Sequence, residues 1–218
     1  MITFWFDLLV LVKDCNDLHR SNKKAPSGVY SISPSGGKTY QVYCDMATAG
    51  GGWTVIQKRI DGSLDFYKTW KEYKDGFGSV KREYWLGNEA IHALTSVKKR
   101  DVYIKIQGRG RYWTYATYTG FYVDSENNKY KLTFNQGSYK GNAGDHLNQK
   151  GPGDHNGMKF STKDVDNDLG GGRSCAHILK GGWWFNNCEY GCLNCKYGNS
   201  DSSWGGQGVI TGTWMMIR

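Results

Sequence analysis

The sequence predicts a single α+β domain of short strands, short helices and many turns, and three observations point that way. Thirty glycines, nine tryptophans and fifteen tyrosines stand against three prolines, a composition suited to turns and aromatic packing and not to a helical bundle. Segments such as Gly28-Val29-Tyr30-Ser31-Ile32 alternate as strands do, while the helix candidates are few and short. A chain of 218 residues can bury roughly 70 % of its unfolded surface in one core, and no linker, internal repeat or low-complexity tract divides it.

Taken in order, residues 1–13 open with an apolar run, Met1 to Val12, interrupted by Asp7. It has no basic leading region and no small-residue cleavage site. A leader remnant, an expression tag and an extra strand all fit it. Residues 14–218 then fall into three consecutive subregions. The first, 14–55, holds Cys15 and Cys44 and two alternating segments, Gly28–Ile32 and Thr39–Cys44, read as strands. The second, 56–145, offers short helices at Phe66-Tyr67…Trp70-Lys71…Tyr73 and at Glu89–Leu94. Strands are expected there at Val102–Gln107, Tyr112–Tyr118 and Tyr130–Phe134. The third, 146–218, is glycine-rich and irregular, the kind of loop region in which function sits on a rigid support. No run of 18 apolar residues occurs, so no membrane span is expected. Six cysteines in a polar chain fit an oxidising, extracellular setting.

The densest chemistry lies in Asp164-Val165-Asp166-Asn167-Asp168. Three carboxylates at every second position repel one another unless a cation sits among them, and the chain around them carries a formal net charge of +8. Hard oxygens on a tight glycine-containing loop suit calcium. The run starts like an EF-hand loop and then departs from it, with Leu169 where glycine and Cys175 where a bidentate glutamate would be required. A solvated Asp/Asn turn is the alternative reading.

The positive charge lies elsewhere. Residues 1–145 hold 21 Lys/Arg against 14 Asp/Glu, and residues 146–218 hold 7 against 6. If the strand through residue 107 continues, Lys105, Gln107, Arg109 and Arg111 share one face, flanked by Trp113 and Tyr115. Such a face could hold a polyanion: lipopolysaccharide, lipoteichoic acid or a sulfated glycan. A merely solvated strand face explains the pattern equally well, and no nucleic-acid motif accompanies it. Enzyme motifs are also missing: there is no Gly-x-Ser-x-Gly, P-loop, His-Glu-x-x-His or Rossmann pattern. The histidines at 19, 92, 146, 155 and 177 are scattered without a nearby nucleophile, so no catalytic residue is assigned.

Longer motifs add a family. Gly50-Gly51-Gly52-Trp53-Thr54-Val55-Ile56-Gln57-Lys58-Arg59, Asp61-Gly62-Ser63-Leu64-Asp65-Phe66-Tyr67, Tyr84-Trp85-Leu86-Gly87-Asn88-Glu89 and Gly182-Trp183-Trp184-Phe185-Asn186-Asn187-Cys188 occur in order. Over residues 14–218 the chain resembles the fibrinogen C-terminal-like domain, the module of ficolins, tachylectins, angiopoietins and the fibrinogen chains. The resemblance implies a mixed or antiparallel central sheet with A (14–55), B (56–145) and P (146–218) subregions. It implies disulfides Cys15–Cys44 and Cys175–Cys188. Cys192 and Cys195 are additional: pairing with each other is expected, with metal binding or an intermolecular bond as the alternatives. For Ca2+ the resemblance assigns the side chains of Asp166 and Asp168 and the carbonyls of Gly170 and Gly172, with Asp164 behind them. One extra residue between Asp168 and Cys175 bears on those carbonyls.

In acetyl-binding members the calcium loop supports the turn that follows, where an Asn-Cys peptide bond, here Asn187-Cys188, is commonly cis. Backbone N–H groups there hold an acetyl oxygen. The corresponding lining would be Leu179, Asn187, Cys188, Glu189, Tyr197 and Trp204. Glu189 replaces a usual His and Leu179 a usual Tyr, and Gly205-Gly206-Gln207-Gly208 stands where an aromatic wall is normal. These departures imply an opened cleft and a changed specificity. Ile178 and Leu179 occupy positions where a fibrin-peptide pocket needs polar residues, so clot assembly is not expected. The resulting expectation is a secreted, calcium-dependent, lectin-like module for microbial surface glycans or acetylated sugars, gaining avidity as a homo-oligomer. The alternatives are a receptor-binding domain of angiopoietin type and a polyanion binder through the Lys105 face.

Overall fold

The chain is described here from a computed structural model at residues 12–108, 110, 112–149, 151, 153–188, 191–198, 204 and 208–218. The apolar run before Val12 lies outside the described residues, as do Arg109, Arg111 and Glu189. Folding logic starts at Asp14, whose Oδ1 accepts the Asp17 N–H at 2.8 Å and caps α1 (Cys15–Ser21). Its Oδ2 meets Arg100 Nη1 at 2.5 Å, with both side chains almost fully buried. The segments expected as the first two strands are β1 (Gly28–Ile32) and β2 (Tyr40–Asp45), paired antiparallel. A third strand, β3 (Trp53–Arg59), is buried at every position. It crosses the expected 55/56 boundary.

The expected helix around Phe66–Tyr73 forms only as α2 (Trp70–Asp75). Thr69 fixes that start with a full capping box: its Oγ1 accepts the Glu72 N–H while Glu72 accepts the Thr69 N–H at 2.8 Å. Upstream, Asp65 Oδ1 accepts the Tyr67 N–H at 2.9 Å, so this stretch is a turn. Short strands β4 (Phe77–Gly78) and β5 (Tyr84–Trp85) follow, then α3 (Asn88–Ser96). Next come β6 (Arg100–Gly108) and β7 (Trp113–Val123), both longer than their alternating cores suggested. The strand expected at Tyr130–Phe134 shrinks to β8 (Leu132–Thr133), because Lys129 and Tyr130 take φ values of 56° and 49° that no strand accommodates. Beyond β9 (Lys140–Gly141) and α4 (Cys175–Leu179), the chain ends in β10 (Ile210–Ile217).

The last strand organises the whole. Sheet order is β1-β2-β3-β10-β6-β7-β8, and every pairing among the described strands is antiparallel. Thus β10, from the region read as irregular, sits in the centre of the sheet. Its neighbours supply most of its character: Thr213 Oγ1 donates to Gln57 Oε1 at 3.0 Å, which a buried polar pair requires. Against the sheet packs an aromatic core of Tyr73, Trp85, Phe160, Trp183 and Trp184. Trp184 Nε1 reaches the Tyr130 carbonyl at 2.7 Å. Three disulfides close the structure: Cys15–Cys44, Cys175–Cys188 and Cys192–Cys195. No cysteine remains free, so neither metal binding by Cys192 and Cys195 nor a cross-link between chains through them is available. No helix among the described residues is long and apolar enough to cross a membrane.

Candidate functional site

The acidic run is a loop held from both sides. Ser161 and Trp183 exchange backbone hydrogen bonds, Ser161 N–H to Trp183 O at 2.9 Å and the reverse at 3.1 Å. Asn167 clamps the loop inward, donating Nδ2–H to the Phe160 carbonyl at 2.7 Å and its N–H to Ser161 Oγ at 2.9 Å. Asp164, expected behind the metal ligands, instead faces α2. Its Oδ1 accepts the Trp70 N–H at 2.8 Å and the Thr162 hydroxyl at 2.7 Å. The alternation of the run therefore divides into two jobs: Asp164 ties the loop to a helix start, while Asp166 and Asp168 lie together.

Asp166 Oδ1 accepts the Asp168 N–H at 3.1 Å. Asp168 accepts the Gly170 N–H on Oδ1 and the Cys175 N–H on Oδ2, both at 2.8 Å. Burial raises the Asp168 carboxyl above its usual range, and the Asp166 charge adds to the rise against the two backbone donors. Neither aspartate takes part in an ion pair among the described residues. A divalent cation would relieve that repulsion. Among the described residues no cluster of three or more His, Cys, Asp or Glu side chains could hold a metal, so the two aspartates would need backbone carbonyls beside them. A Cβ on Gly170 would lie 2.6 Å from the Arg173 carbonyl oxygen and 2.8 Å from Asp168 Oδ1. The Arg173 carbonyl therefore stands near the carboxylate, a donor the sequence reading did not name. Gly172, at φ 93°, is exposed. Two carboxylates with carbonyl oxygens fit Ca2+, which accepts oxygen donors in flexible geometry, and not a soft metal.

The same loop is joined to the turn carrying Cys188. Leu169 N–H donates to the Asn186 carbonyl at 2.7 Å, and Cys175, bonded to Asp168, is the disulfide partner of Cys188. No cis peptide bond occurs among the described residues, Asn187-Cys188 included. The turn is made by Cys188 itself, whose φ of 58° reverses the chain where the cis bond was expected. Asn187 Oδ1 is buried there without a hydrogen-bond partner.

The other expected lining residues do not come together. Trp204 is fully buried, its Nε1–H on the Gly144 carbonyl at 3.1 Å and its ring against His146. Its ring offers no wall to a ligand. Leu179 ends α4, its carbonyl accepting the Lys196 N–H at 3.0 Å. Tyr197 lines a different cleft, of 450 Å3, with Arg59, Phe66, Tyr67, Lys180 and Lys196. Those residues come from segments more than a hundred positions apart, and sequence patterning gives no signal for them.

Of the basic face, Lys105 is the described member. Its ammonium lies 5.2 Å from the Trp113 ring and 5.5 Å from that of Trp214. On the other side of Trp214, the Lys58 ammonium lies 4.2 Å from that ring and 4.8 Å from the ring of Tyr43. Cations and rings thus alternate across β2, β3, β10, β6 and β7, so Lys105 is already engaged by aromatic faces. Arg100, at the start of β6, is buried against Asp14.

The profile of the family described as "Fibrinogen beta and gamma chains, C-terminal globular domain" matches residues 11–218. Human fibroleukin is 40% identical over 206 residues, covering 94% of this chain and 46% of fibroleukin. Human tenascin-R is 43% identical over 195 residues, covering 88% of this chain and 14% of tenascin-R. The chain therefore spans less than half the length of these relatives. Among solved structures, the fibrinogen-like globe domain of human ANGPTL2 superposes with a TM-score of 0.86 at 35% identity, covering 95% of this chain and 98% of that one. A lamprey fibrin D-dimer, complexed with the peptide ligand Gly-His-Arg-Pro-amide, gives 0.84 at 32% identity over 96% of this chain and 74% of that one.

Proposed function

Because this chain belongs to the fibrinogen C-terminal globular domain family, a family of extracellular, non-catalytic binding domains that commonly bind calcium, we propose that it is a secreted, calcium-dependent recognition module for glycans on microbial or host surfaces. The observation that carries this reading is the double hold of Asp168 on Gly170 N–H and Cys175 N–H. A cation on Asp166 and Asp168 would fix the acidic loop and, through Cys175, Leu169 and Asn186, the Cys188 turn as one body. Asn187 Oδ1, an acceptor without a partner, lies in that turn. A bound calcium ion would supply positive charge to the loop, held by Asp166 and Asp168, while the chain's own groups supply the shape of the recognition surface.

The test is binding to a panel of bacterial surface glycans and acetylated sugars, in calcium and then in excess EDTA. Binding that EDTA removes and Asp166→Ala abolishes is the expected result. Glycan binding that survives both treatments sinks the calcium-dependent reading. A second reading, a receptor-binding domain, draws on Leu169 in the acidic loop and Ile178 on α4, which are 62% and 52% exposed and give this end of the molecule apolar points suited to a protein partner. Capture of a cell-surface protein, lost in Leu169→Asp and absent for every glycan, would favour it.

A further inference from the structure

Arg59 is buried, only 4% exposed, at the end of β3. Its guanidinium lies between two rings, 4.1 Å from the centre of Phe66 and 5.2 Å from that of Tyr197. Nη1 donates to the Cys195 carbonyl at 3.0 Å, and the buried Nε–H has no partner. Arg59 enters no ion pair among the described residues. The charges of Glu83 and Asp65 favour it, Glu83 most, but the two Glu83 oxygens are hydrogen-bonded to four backbone N–H groups, from Ile60, Asp61, Gly62 and Leu64. Glu83 and Asp65 thus act on Arg59 only as nearby charges, and a buried guanidinium with no carboxylate paired to it directly is costly.

The same guanidinium lines the 450 Å3 cleft, a volume in the range of small-molecule sites. Lys180 and Lys196 stand exposed at its edge. Lys180 and Lys163 lie over the Tyr67 ring, at 4.9 and 5.3 Å, and the Tyr67 hydroxyl is 2.7 Å from His177 Nδ1. Asp65 is the acid of the lining, and its Oδ1 accepts the Tyr67 N–H. The lining thus carries three cations and one carboxylate. Nη1 anchors the guanidinium to a carbonyl where it lines the cleft, and a planar guanidinium is the group best suited to carboxylate, sulfate and phosphate.

We infer that this cleft is a second binding site, for a compact ligand bearing a carboxylate, sulfate or phosphate group, with the anionic group directed to Arg59 and the two lysines and the remainder against Phe66, Tyr67 and Tyr197. Neither Asp166 nor Asp168 lines this cleft, so it shares no residue with the calcium loop's ligands. It is also independent of the Lys105 face, which lies over Trp113 and Trp214.

The experiment is a calorimetric titration of the whole chain, in calcium throughout, with glucuronate, glucose 6-sulfate and glucose 6-phosphate, and with glucose as the neutral control. At least one acid is expected to bind with Kd of about 1 mM or tighter while glucose does not, and the preferred acid identifies the source of the charge. Replacing both Lys180 and Lys196 by Ala should weaken binding by about tenfold. These two side chains are exposed, so the double variant tests the site without touching the core. Arg59→Gln should abolish binding, and near-ultraviolet circular dichroism reports whether it folds; if it does not, the lysine pair decides. Equal binding of glucose, no binding of any acid, or an unchanged affinity in the lysine double variant would each overturn the assignment. Displacement by an acidic hexapeptide with no response to any sugar acid would overturn it in favour of a peptide site.

Discussion

Glu83 offers a sharp test of how the 60–64 segment is held. The side chain is 2% exposed. Oε1 accepts the N–H groups of Ile60 at 2.6 Å, Asp61 at 3.0 Å and Gly62 at 2.9 Å, and Oε2 accepts that of Leu64 at 2.9 Å. One carboxylate thus satisfies four donors of a turn that has no other backbone ladder. In Glu83→Gln a single oxygen remains. If it keeps the three-donor side, the new amide NH2 faces the Leu64 N–H, donor against donor. A buried donor left unsatisfied costs about 1–3 kcal/mol, and the three surviving bonds each lose charge assistance worth about 0.5–1 kcal/mol. A loss of about 3–5 kcal/mol follows, against a total stability on the order of 5–15 kcal/mol. For a chain of this size that corresponds to a fall of roughly 10 °C in Tm.

The pH dependence gives the same reasoning a second handle. Burial alone would raise the Glu83 carboxyl, but the four backbone donors outweigh it and hold it below the usual range. A carboxyl depressed in the folded state contributes stability that is complete above its unfolded pKa of about 4.3 and is lost as pH falls through the lower folded value. Urea melts of the natural chain and of Glu83→Gln should therefore differ by a constant amount at neutral pH and converge in acid. A difference below about 1 kcal/mol at pH 7, or a gap that stays open in acid, would refute the argument.

The two buried arginines should behave oppositely. Arg100→Met strands the Asp14 carboxylate in the interior and should cost about 3–5 kcal/mol, whereas Arg59→Met removes a charge that lacks a partner and should cost less than half as much; paired denaturation curves decide the order. Calcium should raise Tm of the natural chain, by an amount equivalent to about 2.7 kcal/mol at a hundredfold excess over Kd, and leave Asp168→Ala unchanged in differential scanning calorimetry. Replacing Cys192 and Cys195 by Ser, which opens a loop with a sequence separation of 3, should cost about 2 kcal/mol. Opening Cys15–Cys44, with a separation of 29, should cost about 3.5 kcal/mol, and a reversed order in chemical melts would contradict the loop-entropy account.

What could be read from the chain was what is local along it. The strands at Gly28–Ile32 and in β6 and β7 carry their own alternation, and the carboxylates of the acidic run are neighbours whose repulsion needs no fold to be noticed. The pairing of Cys192 with Cys195 was expected only because the resemblance assigned the other four cysteines. By contrast β10 has no clear period: Ile210, Gly212, Thr213 and Met215 are all buried there, because the strand fills the gap between β3 and β6 and faces packing on both sides. A strand buried on both faces does not alternate. Trp204 also misled. Its place in the lining was what the resemblance implied, and only the fold, with Gly144 accepting its Nε1–H, shows that the ring turns inward.

Arg59 and Arg100 show where sequence reading stops. Each follows a lysine at the polar end of an alternating or apolar segment, and nothing local tells them apart. Arg100 lies beside Asp14, 86 positions upstream, and beside the Leu94 carbonyl, which takes its Nε–H at 2.9 Å. Its charge and its donor are both answered within the chain, so its role is to join α1 to β6. Arg59 is buried to the same degree, but its direct contacts are rings and a carbonyl, and Glu83 and Asp65 act on it without forming an ion pair. The distinction between a structural arginine and a binding one therefore lies in which distant residue folds against it. An arginine whose surroundings leave the charge unanswered is where an anion from outside the chain gains most, since the cost of burying the cation has already been met by folding.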